Sequence, residues 1–226
     1  MLLHFICNID SFKVVLFHKL KNMKKLLLIV VMVVSGGMIS AQTKYGIKLG
    51  YNAGNVSSND PEIKEDGKTL SGIGFGAFAE FSLGKNFSLQ PQINYNRKGV
   101  ALAHDGHSDN LRFNVLDIPV NALYRSNNGF FIGGGPNLGF NLSGGLRAHD
   151  DPSENFDFEF GKNPGQIKRM DLGLNFLTGY EFKNGLFVSA NYLAGLTNLS
   201  NVPNQTWRNN LLNLSLGYSF GGAKKK

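Results

Sequence analysis

Phe87-Ser88-Leu89-Gln90-Pro91-Gln92-Ile93-Asn94-Tyr95-Asn96 alternates without interruption between apolar and small polar side chains. In an extended strand this puts Phe87, Leu89, Pro91, Ile93 and Tyr95 on one face and the hydroxyl and amides on the other. A helix would scatter both sets around its axis. The polar face has no lysine, glutamate or threonine, the residues that dominate a strand facing bulk water. Short amides suit a crowded interior instead, such as that of a narrow barrel.

Seven further segments repeat the pattern on either side of this one. They cover residues 45–53, 73–83, 111–124, 130–141, 171–182, 186–194 and 212–220. In the fourth strand along the chain the apolar phase shifts between Val115 and Leu116, which predicts a bulge there. Connections alternate in length: residues 55–70, 98–110, 143–168 and 195–209 are long and polar, whereas 84–86, 125–129 and 183–185 are tight turns. Long and short connections in strict alternation describe an even-numbered meander, with short turns on the periplasmic side of an outer membrane and long loops outside. The apolar faces carry aromatics toward both ends, Tyr45, Phe87, Tyr124 and Phe220 at one and Tyr51, Tyr95, Phe140 and Tyr192 at the other. Such belts mark the two bilayer interfaces. The fold expected is therefore all-β: an eight-stranded antiparallel up-and-down transmembrane β-barrel. A soluble secreted barrel would alternate as well, but its polar side would carry more charge.

The chain has 226 residues, 23 bases against 16 acids, 28 glycines and 25 Phe plus Tyr, with only 17% charged residues. Five bases and one acid precede residue 42, and Lys224, Lys225 and Lys226 supply the rest of the excess, leaving a neutral body. That balance excludes a nucleic-acid binder with a basic face. Residues 23–41 have the form of a cleaved signal peptide: Met23-Lys24-Lys25, an apolar run over 26–34, and Ser40-Ala41 before Gln42. Nine apolar residues are too few for a spanning helix, which needs about 20. The expected organisation is a mis-extended start over 1–22, the signal peptide over 23–41, a barrel domain over 42–220 and a basic tail over 221–226. The single cysteine, Cys7, leaves with the leader, so no disulfide, thiol nucleophile or thiolate metal site is expected in the mature protein.

Several stretches resemble one family. Tyr45-Gly46-Ile47-Lys48-Leu49-Gly50, Leu116-Asp117-Ile118-Pro119-Val120, Gly133-Gly134-Gly135-Pro136, Gly195-Leu196-Thr197-Asn198 and Leu214-Ser215-Leu216-Gly217-Tyr218-Ser219-Phe220 look like the PorT-like outer-membrane β-barrel proteins of Bacteroidetes. These are small barrels of the OmpX/OmpA type. The resemblance implies place and fold more than activity, since some relatives serve protein export. It also implies that Tyr218 and Phe220 form the terminal aromatic signal read by the barrel-insertion machinery, although residues 221–226 follow them.

Lys48, Glu80, Asp117, Asp171 and Glu181, together with Arg112, are expected on the inward face. They read either as a gated polar path or as a salt-bridged plug, and the narrow bore favours the plug. Acids outnumber bases in this set, so one carboxyl is expected to stay protonated or meet water. His104, Asp105, His107 and Asp109, and His149, Asp150 and Asp151, offer metal-ligand chemistry in loops, but at no structural spacing; no metal or cofactor is expected. No Gly-x-Ser-x-Gly elbow occurs and the histidines sit only in loops, so no enzyme is expected. Phe156, Phe158 and Phe160 alternate with Asp157 and Glu159 in the third long loop. They form either a hairpin arm presented to an envelope protein partner or a loop packing its rings on the barrel rim. The function expected is that of a monomeric protein of the Gram-negative outer membrane, structural, adhesive or partner-binding through its extracellular loops. A passive channel and an accessory of a secretion system are the alternatives, with a lipid-modifying enzyme the remotest.

Overall fold

The computed structural model describes residues 43–104, 107–149 and 152–221. The leader, residues 222–226, Asp105, Asp150 and Asp151 lie outside the described residues, as do the side chains of His104 and His107. The elements are β1 (Thr43–Ser58), a short α1 (Pro61–Asp66), β2 (Gly67–Ser82), β3 (Phe87–His104), β4 (His107–Arg125), β5 (Phe130–Arg147), the two-residue β6 (Phe156–Asp157), β7 (Met170–Glu181), β8 (Leu186–Gly195) and β9 (Trp207–Gly221). All pairings between these strands are antiparallel. The order is β4-β3-β2-β1-β9-β8-β7-β5-β6, and β4 also pairs with β5. The result is an all-β, barrel-like sheet in which each of the eight long strands has long-strand neighbours on both edges.

Alternation decides which side chains are covered. Asn94, Asn96, Asp117, Asn121, Asn175 and Asn213 are buried, whereas Leu49, Ile73, Phe87, Ile93 and Leu216 stand 58–63% exposed on the opposite face. Polar side chains inside and apolar ones outside invert the arrangement of a soluble protein, and hydrocarbon is the solvent that makes the inversion favourable.

Two of the short turns use one device. Gly129 donates its N–H to the Ser126 carbonyl and Gly185 to the Phe182 carbonyl, with both glycines at positive φ, 104° and 91°. The preceding asparagines, Asn128 and Asn184, each accept the backbone N–H two residues on, at 3.1 Å. An Asn-Gly pair thus satisfies the turn backbone and supplies the conformation that a side chain would resist.

At the long-loop end the strands run further than the sequence pattern indicates. Pairing of β3 with β4 continues to His104↔His107, so residues 98–110 are a hairpin and not a loop. The β1–β9 pair continues to Ser58↔Trp207. By contrast β7 and β8 stop at Met170 and Gly195. The wall is consequently high over β9 and β1–β5 and low over β7–β8. Above Phe140, the last β5 residue paired with β7, Gly145 and Leu146 take β6 as their partner.

The predicted bulge in β4 is absent. Leu111, Phe113, Val115, Asp117, Pro119, Asn121 and Leu123 are buried in one continuous series. The irregularity is in β5, where the partners of Asn114 and Val115 are Ser143 and Asn141 and Leu142 is left over. What changes along β4 is the chemistry of the enclosed face, which is wholly apolar above Asp117 and mixed below it, with Pro119, Asn121 and Leu123. A second irregularity lies in the β2–β3 pairing between Thr69 and Gly74.

Candidate functional site

From the short-turn end upward, the enclosed space is filled in layers. At the bottom, Lys44 donates to both carboxylate oxygens of Glu181, at 2.7 and 2.9 Å. Arg125 bridges this pair to Glu80, with Nη1 2.8 Å from Glu181 Oε2 and Nη2 2.6 Å from Glu80 Oε2. Ser88 and Gln90 donate to Glu80, and Ser219 to Glu181. Bidentate contact of this kind is the strong form of a charge-assisted hydrogen bond. The Arg125 guanidinium also lies 4.7 Å from the ring centroid of Phe131.

Phe131 belongs to the next layer, an apolar cluster with Phe78, Leu123, Leu177 and Phe187. Three glycines make room for its rings. A Cβ at Gly46 would come within 2.3 Å of the Phe78 ring, one at Gly179 within 2.4 Å of Phe131, and one at Gly217 within 2.3 Å of Phe187. Interior glycine in a strand lowers its intrinsic stability, but here it leaves room for the far end of a facing ring close to the backbone.

Amides follow. Lys48 donates to Gln92 at 2.8 Å, Asn94 to Gln92 at 3.1 Å, Asn213 to Asn52 at 2.6 Å and Asn175 to Asn121 at 2.9 Å. The voids beside Lys48 measure about 20 and 10 Å³, room for about one water each. Higher still, Lys98 donates to Asp117 at 2.8 Å and lies 3.9 Å from Asp171, all three side chains being no more than 1% exposed. Asp117 also accepts from Asn96 and Asn137, at 2.7 and 2.9 Å.

Above the charged trio an apolar cluster closes the top: Val56, Ile63, Val100, Leu102, Leu111, Phe113, Val115, Ile167, Leu199 and Trp207. The high wall supplies most of these residues. Ile167 and Leu199 come from the connections that cross above the short β7–β8 pair. Ile167 bonds back to Glu159 and Lys168 to Leu199, which ties the two connections together.

Of the residues expected inside, Lys48, Glu80, Asp117, Asp171 and Glu181 lie on the enclosed face. Arg112 does not. It sits between buried Leu111 and Phe113 and so points outward; its inward placement depended on the bulge that β4 lacks. Three enclosed bases escaped the sequence reading, namely Lys44, Lys98 and Arg125. With them the described lumen holds four carboxylates and four cations, so the excess of acids read from the sequence is not there. The excess of acids was itself the signal that basic partners were missing from the inward set.

The third long loop packs two of its rings down and leaves the third exposed. Phe158 stacks on Phe113, with centroids 5.2 Å apart, and meets Trp207 edge-on at 5.9 Å. Arg169 covers the ring of Phe160 at 4.9 Å. Phe156 remains 51% exposed, on β6, where Arg147 pairs with Asp157. A surface groove of about 470 Å³ is lined by Phe156, Asp157, Phe158, Glu159, Pro164 and Gln166, among others. Tyr218 and Phe220 point outward on β9, and Phe220 lies 6.2 Å from the ring of Tyr45 on β1. Among the described residues no group of three or more His, Cys, Asp or Glu side chains could hold a metal ion.

The family match agrees with the architecture. Residues 40–201 match the family described as outer membrane protein beta-barrel domain, and the chain belongs to that family. It is an outer-membrane β-barrel protein set in the lipid bilayer. No curated protein matched it. Among solved structures, it is similar to the attachment invasion locus protein Ail of Yersinia pestis, at 14% identity over 79% of this chain and 99% of that one, with a TM-score of 0.45. Neisserial surface protein A is similar at 14% identity over 78% and 97%, TM-score 0.45. OprG of Pseudomonas aeruginosa is similar at 12% identity over 80% and 97%, TM-score 0.47.

Proposed function

We propose that the protein is a closed, eight-stranded, monomeric outer-membrane barrel with a plugged lumen, and that its extracellular rim performs a structural, adhesive or partner-binding role. The observation that carries this reading is the filling of the bore by two ionic layers and two apolar clusters, with voids of only about 20 and 10 Å³ beside Lys48. The β4–β5 pairing, which joins the two ends of the strand order, supports closure. On the outer side the third loop is anchored through Phe158 and Phe160 and leaves Phe156, Asp157 and Glu159 at the edge of a groove. Anchoring lowers the entropy lost when a partner docks. The partner that fits is an envelope protein offering an apolar contact flanked by basic groups.

The leader over 23–41 and the mis-extended start over 1–22 belong to this reading, which has the mature chain enter the periplasm by the secretory route. Tyr218 and Phe220 serve as the signal for the insertion machinery. The five stretches quoted above support a PorT-like member of the family.

Two measurements test the reading. Reconstituted into planar bilayers, the mature protein should give no current above background; steady single-channel openings would replace the plug with a passive channel. A photo-cross-linker at Phe156 should capture one defined envelope protein in native membranes. The absence of a specific adduct would refute partner binding at this loop.

A further inference from the structure

Two arginines at the edge of the apolar belt have no counterpart in the layers described above. On β3, Arg97 follows Tyr95 on the same outward face, about 7 Å further up the strand. Asn114 opposes Arg97, and Gly99 opposes Arg112. Arg112 is therefore the diagonal neighbour of Arg97 on that face, within reach of a long side chain. Below them the wall is Tyr95, Leu116 and Ile118; above them it is Ala101 and Asn110. The pair thus marks the level at which hydrocarbon gives way to headgroups.

Both arginines line one outer-wall groove of about 360 Å³ together with Thr69, Leu70, Ser71, Ala101 and Asn110. The groove lies where the β2–β3 register breaks between Thr69 and Gly74. The Arg97 Nε is buried and has no hydrogen-bond partner. Among the described residues neither guanidinium has an ion-pair partner. Arg112 experiences repulsion from Arg147 and Arg97 and attraction from Asp157, but Arg147 already holds Asp157. Two adjacent cations, one with a buried and unsatisfied N–H, call for an anion from outside the protein. At this height on a lipid-facing wall, the anion at hand is a phosphate on an outer-leaflet headgroup.

We propose that the groove over β2–β4 binds the phosphate of an outer-leaflet lipid, with Arg97 and Arg112 gripping its oxygens and Thr69, Ser71 and Asn110 hydrogen-bonding the adjoining sugar or glycerol. The acyl chains then descend over Tyr95, Leu116 and Ile118. The proposal rests on the membrane setting of the barrel and not on the role of the loops.

The test uses the refolded mature protein in detergent at low salt, with lipid binding read by native mass spectrometry. The probes are a diphosphorylated glycolipid, its enzymatically dephosphorylated form, and inorganic phosphate. The wild type should prefer the phosphorylated lipid, and R97A/R112A should bind it about thirtyfold more weakly, as expected for two interfacial arginines. R97K/R112K should retain part of the preference. Heat-modifiable gel mobility should be the same in all three proteins, so a loss of binding in a barrel that still resists unboiled detergent reports on the groove alone. Equal affinity of wild type and R97A/R112A for the phosphorylated lipid would overturn the proposal, as would equal affinity of the wild type for both lipids. Binding of inorganic phosphate with no advantage for the lipid would overturn the lipid as occupant.

Discussion

Replacing Lys98 with methionine tests whether the lumen is held by charge balance. Lys98 is wholly enclosed, 2.8 Å from Asp117 and 3.9 Å from Asp171. At an effective dielectric constant of about 20, these separations correspond to attractions of about 6 and 4 kcal/mol. Desolvation of the three groups offsets much of that, so the intact trio adds little net stability. Removing only the cation leaves two enclosed carboxylates without their nearest counter-charge, a change that costs about 3–5 kcal/mol. Asp117 keeps its bonds from Asn96 and Asn137. Both Asp171 oxygens already lack hydrogen-bond partners, so Asp171 bears most of the loss. In K98M/D117N/D171N all three charges go together, and most of the lost stability should return. Equilibrium urea unfolding in lipid vesicles, followed by the fluorescence of the single tryptophan, Trp207, measures each variant. A K98M barrel within about 1 kcal/mol of wild type, or a triple variant no more stable than K98M, would refute the reasoning.

Two further perturbations address the apolar layers. Phe113→Ala removes a fully buried ring from beneath Trp207 and Phe158 and should cost about 3–5 kcal/mol in the same assay, with a red shift of the native tryptophan emission. An unchanged emission maximum would mean that the upper cluster is not packed as described. Gly46→Leu forces a side chain into the space of the Phe78 ring and should destabilise by about 1–3 kcal/mol. Phe78→Ala in the same chain should restore part of the loss, and a double variant less stable than either single one would contradict the ring-on-glycine packing.

Much of the fold was legible because its outer face is uniform. Phe87, Leu89, Ile93 and Tyr95 alternate against amides whatever fills the bore, and the Asn-Gly pairs at 128–129 and 184–185 place two turns. Legibility failed where the enclosed face changes character. Above Asp117 the inward residues become Leu111, Phe113 and Val115, so the alternation reverses its chemistry without reversing its geometry. Reading that reversal as a bulge turned Arg112 inward. The same reversal hid the continuation of β3 beyond Asn96, and with it Lys98, which the pattern assigned to a polar loop. Arg125 and Lys44, at strand ends, look like ordinary edge charges until Glu80 and Glu181 are brought opposite them. Only tertiary closeness identifies such partners.

The ionic layer at the bottom draws on strands far apart in the chain. Lys44, Glu80 and Arg125 all come from the first four strands, but Glu181 arrives on β7 and Ser219 on β9. Within this layer, strands β1–β4 alone therefore carry one surplus positive charge, Lys44 and Arg125 against Glu80. That surplus is cancelled by Glu181 of β7, which pairs with both Lys44 and Arg125. The Glu181 carboxylate thus acts as a clasp between distant parts of the chain, tying β7 to Lys44 on β1 and to Arg125 on β4.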